Sequence, residues 1–373
     1  MLTPEEHKRY NRHIILKELG MEGQEKLKNA KVLVVGAGGL GCPVLQYISA
    51  AGVGTIGIID GDNVDESNLH RQVLYAVEDI GKAKASVAAT KLKQQNPYTN
   101  FITYKESLTT DNALDVVGKY DIVVDGTDNF STRYLCNDAC VILNKPLVSG
   151  AIFKFEGQIS VFNLTDKEGN KGPTYRCLFP EPPLPGEVPT CSEAGVIGVL
   201  PGLIGTMQAN EVIKIITGIG QPLSGRLLLF DALTMNQSIV TFAANPENFN
   251  LNCLGTYNFS CDTEDLSEKN EISVEELKQW MDSGKNFSLL DVREEYEREI
   301  CNLGGILIPM NYIRDHIEKI PTEKPVVVYC HHGMRSAMIV KFLKQEFQYK
   351  NLINLEGGIH AWAKKIDSKM PVY

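Results

Sequence analysis

Two short stretches of this 373-residue chain hold residues whose types and spacing suit chemistry. One is Cys330-His331-His332-Gly333-Met334-Arg335-Ser336, between the apolar run PVVVY and the amphipathic run SAMIVKFLKQEF. A cysteine at a strand-to-helix junction faces backbone N–H groups and a helix N-terminus, which stabilise an anionic persulfide. Gly333, Arg335 and Ser336 complete the loop, with Arg335 adding positive charge. His331 and His332 read as loop residues that tune the site, not as metal ligands. A cysteine loop that cradles phosphate needs one more residue before its arginine, so this tighter loop suits a sulfur atom. The other stretch is Gly36-Ala37-Gly38-Gly39-Leu40-Gly41. Gly36, Gly38, Gly39 and Gly41 form a G-x-G-x-x-G turn whose N–H groups suit phosphates. Asp60, at the end of the next apolar run, is placed to bind ribose hydroxyls. By itself this pattern fits a nicotinamide, flavin or ATP site equally well.

The elements that must position these groups follow from apolar periodicity. KVLVV (31–35) reads as a buried parallel strand, Pro43–Ala51 as a helix, and TIGIID as the next strand. DIVVDGTDN and PLVSGA continue the alternation, which predicts a right-handed, doubly wound Rossmann-like α/β sheet. The pattern then collapses into Asn, Glu, Ser and Asp, read as a linker over 249–270 between a domain at 1–248 and a smaller α/β domain at 271–373. In the second domain SVEELKQWM is a helix with Ser273 as N-cap and Glu276 closing a capping box, and FSLLDV and PVVVYC are strands.

Composition narrows the function classes. A net charge of -9 argues against nucleic acid as the main partner. The apolar stretch Ala194–Ala209 is broken by Pro201 and by glycines, and reads as a buried helix, so no membrane partner is expected. The N-terminus lacks an apolar signal-peptide core. Nine cysteines follow no framework spacing. Reduced thiols and a cytoplasmic location are therefore expected, with Cys42, Cys136, Cys140 and Cys301 structural.

The segment after the second strand resolves the choice of nucleotide. IDGDNVDESNLHRQ, with RYNRH near the start and DGTDNFSTRYLCND later, resembles the MoeB/ThiF family of ubiquitin-activating-type adenylyltransferases over roughly residues 5–245. The resemblance implies ATP and Mg²⁺. Adenylation builds charge on phosphates, which cations must neutralise. Arg71 and Lys84 are the matching cations, Asn68 can bond a phosphate oxygen, and Asp128 is placed for Mg²⁺ or for the acyl-phosphate region. Asp62 and Asp65 serve the site or line the turn, and Arg133 and Asn137 contact a carrier's tail or cap structure. In the family the arginine matching Arg12 reaches into the partner subunit's ATP site, which implies a homodimer. Cys191, in TCSEAGV, matches the family's reactive-cysteine loop, and Pro180–Pro189 before it reads as a segment that could admit a carrier tail. Many members hold zinc with two C-x-x-C pairs. Here the first place reads Thr174-Tyr175-Arg176-Cys177, and Cys253 and Cys261 form no pair, so no zinc is expected.

The Cys330 loop, with Asp291-Val292-Arg293, Gly357-Gly358-Ile359 and Ala361-Trp362, resembles the rhodanese family over about residues 270–368. The two resemblances together imply adenylation of the C-terminal glycine of a ubiquitin-like, MoaD- or ThiS-like sulfur carrier ending in Gly-Gly. Transfer of sulfur from a Cys330 persulfide would follow, with a donor such as a cysteine desulfurase, as in molybdopterin synthesis; thiamin thiazole sulfur transfer is the alternative. An oxidoreductase with an appended rhodanese domain predicts NADH binding instead; SNLHRQ and Lys84 speak against it.

Overall fold

The computed structural model describes residues 1–183, 195–257 and 271–372. Cys191, Cys261 and most of Pro180–Pro189 lie outside the described residues. The chain forms two compact units, one on either side of 258–270.

In the first unit the apolar runs become strands β1 (Lys31–Val35), β2 (Thr55–Ile59), β3 (Asn100–Tyr104), β4 (Ile122–Asp125) and β5 (Leu147–Phe153). They run parallel in the order β3-β2-β1-β4-β5. Val32, Leu33 and Val34 on β1 are fully buried, as expected for a strand covered by helices on both faces. Each such side chain contributes about 1.5–3 kcal/mol relative to exposure.

The sheet does not end at β5. Three antiparallel strands extend it, β6 (Glu156–Phe162), β7 (Arg226–Asp231) and β8 (Gln237–Thr241). The sequence pattern did not reveal them. The β5–β6 hairpin turns on Lys154-Phe155, with Lys154 at φ 53°, instead of the Asn-Gly or Asp-Gly that marks such turns. The apolar stretch near residue 200 is the helix Leu200–Thr217, packed on the sheet, with Gln208 donating to the Asp125 carbonyl oxygen at 2.7 Å. No helix among the described residues is long and apolar enough to cross a membrane.

The start of the expected linker belongs to the first unit. Tyr257 is buried and donates through its hydroxyl to Asp138 Oδ2 at 2.8 Å. A polar sequence hid one anchoring aromatic.

The second unit is a parallel sheet of β9 (Glu271–Ile272), β10 (Ser288–Asp291), β11 (Ile306–Leu307), β12 (Val326–Tyr329) and β13 (Leu352–Leu355), in the order β11-β10-β12-β13-β9. Helix Val274–Asp282 has the expected Ser273/Glu276 capping box. Helices Met334–Phe347 and Gly358–Lys365 follow β12 and β13. Gly358 has φ +58°, and a Cβ there would meet the Cys330 and His331 carbonyl oxygens at 2.4 Å. Gly358→Ala should therefore destabilise this unit by about 3 kcal/mol from backbone strain plus overpacking. Calorimetry should show its melting transition falling by roughly 10 °C or more, with the first unit's transition unmoved.

Candidate active sites

The glycine turn connects β1 to helix Gly41–Ala51. Gly41 is required there, because a Cβ would stand 2.0 Å from the Gly36 carbonyl oxygen. Asp60 closes the turn from β2. Its Oδ2 accepts from the Ala37 N–H at 2.7 Å and its Oδ1 from the Asp62 N–H at 2.8 Å. A carboxylate has further lone pairs, so ribose hydroxyls remain within its capacity. Burial pushes the Asp60 carboxyl above its ordinary value, while the two N–H groups and Lys84 pull it back.

Around the turn the structure gathers most of the expected residues. Gln72 and Arg71 lie over it: a Cβ would stand 3.4 Å from Gln72 Nε2 on Gly38 and 3.8 Å from Arg71 Cγ on Gly39. Arg71 donates to Asn68 Oδ1 at 2.7 Å and to the Ser67 carbonyl oxygen at 3.2 Å, and touches His70 Nε2 at 2.8 Å. Its guanidinium is thus held before any phosphate arrives. Lys84, buried at the start of helix Lys84–Gln95, pairs with Asp62 Oδ2 at 2.9 Å. The Tyr75 hydroxyl donates to the Ala37 carbonyl oxygen at 2.7 Å and lies 3.4 Å from that of Lys84, tying lysine to turn. Asp65 caps the short helix Glu66–Asn68 through Ser67.

The loop after β4 also lies on the turn, since a Cβ on Gly36 would be 2.9 Å from the Gly126 carbonyl oxygen. Asp128, two residues on, is exposed. Arg133 and Asn137 resolve to structural roles. Arg133 pairs with the fully buried Asp125 at 3.2 Å, and Asn137 accepts from the Tyr175 N–H at 2.8 Å.

Arg12 is not brought to the turn of its own chain. Its helix, Pro4–Ile14, is anchored where helix Gly41–Ala51 ends: Gln24 joins His13 at 3.1 Å to the Ala51 carbonyl oxygen at 2.8 Å. At about 1.5 Å per residue that is the far end of the helix from the glycines. Arg12 itself is exposed.

At the place of the first zinc pair, Arg176 forms a bidentate pair with buried Asp138 at 2.8 and 2.7 Å. Cys177 is cradled instead by the Asn245 N–H at 3.2 Å and the Asn248 amide at 3.5 Å. Burial raises this thiol, but those donors and Thr174 outweigh it and leave it below the ordinary value. Cys42, Cys136, Cys140 and Cys301 are buried, and burial pushes Cys42 up to about 12.

In the second unit Cys330 is buried at the end of β12. Its Sγ accepts from the Gly333 N–H at 3.1 Å and lies 3.4 Å from Ser336 Oγ. Gly357-Gly358 fixes the loop from outside, with Ile359 N–H on the Cys330 carbonyl oxygen at 2.9 Å and His360 N–H on that of His331 at 3.0 Å. The expected positive charge is not free: Arg335 is bidentate to Glu297 at 2.7 and 2.6 Å. Glu297 is itself buried and needs a cation. Asp291 and Arg293 form a fully buried pair at 2.7 Å and act as scaffold. Glu297 and His360 were not singled out in the sequence, for lack of any local signal: Glu297 lies 38 positions from its partner. His331, His332 and His360 cluster, and burial plus the neighbouring rings lower His331 to about 4.

A family model described as the ThiF family matches residues 10–254, and one described as the rhodanese-like domain matches 273–365. A probable adenylyltransferase/sulfurtransferase MoeZ of Mycobacterium tuberculosis is 44% identical over 380 residues, covering 100% of this chain and 96% of that protein. A sulfur carrier protein adenylyltransferase of Thermus thermophilus is 55% identical over 244 residues, covering 65% of this chain and 90% of that protein. The crystal structure of E. coli MccB shares the fold of the first unit, with a TM-score of 0.58 at 24% identity over 66% of this chain and 72% of that one. The chain belongs to the ThiF family and carries a rhodanese-like domain behind it: it is an ATP-using adenylyltransferase with an appended sulfurtransferase domain.

Proposed function

We propose that the chain adenylates the C-terminal glycine of a ubiquitin-like sulfur carrier ending in Gly-Gly and then converts it to a thiocarboxylate with sulfur from Cys330. The observation that carries this reading is the placement of Asn68 and Arg71 on the Gly36–Gly41 turn, with the Lys84 ammonium on Asp62 close enough to act on Asp60, which closes the turn. Hydride transfer has no use for such cations; phosphoryl chemistry does. The carrier relative named above supports the partner.

The glycine turn and Asp60 bind the nucleotide. The carrier carboxylate attacks the α-phosphate and pyrophosphate leaves, its charge met by Arg71 and Lys84. Asp128, a single exposed carboxylate, would hold Mg²⁺, which would supply further charge neutralisation. The terminal sulfur of the Cys330 persulfide then attacks the acyl carbon and AMP leaves. A thiol, with Cys191 as the candidate, attacks the Cys330 sulfur of the acyl disulfide, releasing the thiocarboxylate and leaving a disulfide. A cysteine desulfurase is the proposed donor. No structural zinc is part of this reading, because Thr174 stands where the first cysteine of a C-x-x-C pair would be and Cys253 and Cys261 form no such pair. Molybdopterin synthesis is the favoured setting, in the cytoplasm.

ATP–pyrophosphate exchange that depends on a Gly-Gly carrier tests the reading; exchange without the carrier, or none with it, overturns it. The displaced position of Arg12 supports a homodimer in which it serves the partner's site. Mixing Arg12→Ala with Arg71→Ala subunits should then restore about a quarter of wild-type exchange, because half of randomly mixed dimers have one intact site. Action within one chain restores none.

A further inference from the structure

The second unit holds a side-chain cluster that sulfur transfer does not use. We propose that His331, His332 and His360 form a binding site for a borderline divalent cation of the zinc class beside Cys330.

The donor nitrogen atoms of the three imidazoles all lie within 4.8 Å of one another. The His331 and His332 rings stack at 4.1 Å between centroids, and His360 stands 5.4 and 4.6 Å from them. Zinc–nitrogen bonds of about 2.0–2.1 Å set tetrahedral ligands about 3.3 Å apart, so side-chain rotations alone close the gap. A second observation is independent of the clustering. His360 Nδ1 is buried and makes no hydrogen bond, and a buried polar atom left without a partner costs roughly 1–3 kcal/mol. A cation on that nitrogen removes the deficit. Neutral imidazoles are the ligating form, and desolvation with neighbouring positive charge shifts all three rings below their ordinary value.

The donor set decides the ion. Three imidazoles without a carboxylate suit Zn²⁺, Co²⁺, Ni²⁺ or Cu²⁺ and not the hard Mg²⁺ that accompanies ATP. Nearby Arg335 is already neutralised by Glu297. The ligands lie on both segments that frame the sulfur: His331 and His332 directly follow Cys330, and His360 lies in the helix begun by Gly358. Backbone hydrogen bonds already join these segments at 2.9 and 3.0 Å. A cation would lock them through side chains as well and slow sulfur traffic at Cys330; this consequence rests on the persulfide role above.

The test is Co²⁺ titration of the tag-free full chain, followed by visible absorption. Nitrogen-type d–d bands should appear at one equivalent, without an intense thiolate charge-transfer band. Zn²⁺ should displace them and excess Mg²⁺ should not. His332→Ala, at an exposed position, and His360→Ala should each lose the bands. Bands unchanged in both variants, or a thiolate-dominated spectrum, overturn the site. Bound Zn²⁺ should slow persulfide loading from thiosulfate about tenfold, read as sulfur addition by intact mass, and leave the His332→Ala rate unchanged. An unchanged wild-type rate with Co²⁺ bands present overturns the locking. Absence of loading in metal-free protein counts against the persulfide role, not the cation site.

Discussion

Replacing Cys330 by alanine should lower thiocarboxylate formation and thiosulfate:cyanide sulfurtransfer by on the order of 10³-fold or more, while carrier-dependent ATP–pyrophosphate exchange stays within about twofold of wild type. The side chain lost is the atom that carries the transferred sulfur, so no neighbour can stand in for it. Ser336 lies close to Sγ but donates to the Gly333 carbonyl oxygen at 3.0 Å, and its hydroxyl holds no persulfide. The structural cost is small by comparison. Alanine fills most of the same buried space, and the Gly333 N–H loses one acceptor, worth about 1 kcal/mol. The glycine turn, Arg71 and Lys84 belong to the other compact unit, which keeps its own core. Exchange assays and mass detection of the thiocarboxylate separate the two outcomes. If exchange falls together with sulfurtransfer, the assignment of one reaction to each unit is wrong. Cys330→Ser is a useful companion, because it keeps a hydrogen-bonding atom and should be as inactive as alanine.

How much of this was legible in the sequence depends on the range of the interactions. The capping box at Ser273 and Glu276, the glycine turn and the buried parallel strands are local patterns, and they stand where the residues put them. Asp60 could be placed beside the turn because β1–helix–β2 connectivity leaves little choice, whereas Asn68, Arg71 and Lys84 were placed there by the family resemblance of the segment IDGDNVDESNLHRQ and the lysine that follows it. Long-range ion pairs were not legible. Arg335 looks like a loop cation in sequence, and only the fold brings buried Glu297 against it. Arg133 and Asn137 sit next to a motif and look available, yet their helix turns them into the core, where Asp125 and Tyr175 hold them. Tyr257 was lost in a polar stretch because one aromatic has no periodicity. His360 escaped notice because it joins His331 and His332 only through tertiary packing.

Arg71→Ala should reduce ATP–pyrophosphate exchange by about 10²- to 10³-fold, the scale on which a positioned charge stabilises phosphoryl transfer. The argument rests on preorganisation. Ser67, Asn68 and His70 hold the guanidinium against the glycine turn, so it needs no reorganisation when charge builds on the departing pyrophosphate. The loss should fall mainly on kcat, because the charge it meets grows toward the transition state, whereas the glycine N–H groups bind ground-state ATP as before. Arg71→Lys should recover only part of the rate, since a point charge cannot keep the Asn68 bond and face a phosphate with the same fork. Folding is a weak confounder here. Arg71 is only partly buried and Asn68 Oδ1 turns to water when its partner goes, so the melting temperature should move by a few degrees at most. Sulfurtransfer from thiosulfate to cyanide should be untouched, which serves as the internal control for an intact second unit. Wild-type exchange in Arg71→Ala would mean that Lys84 and Mg²⁺ neutralise the leaving group without it, and the site would then have to be redrawn around the Lys84–Asp62 pair.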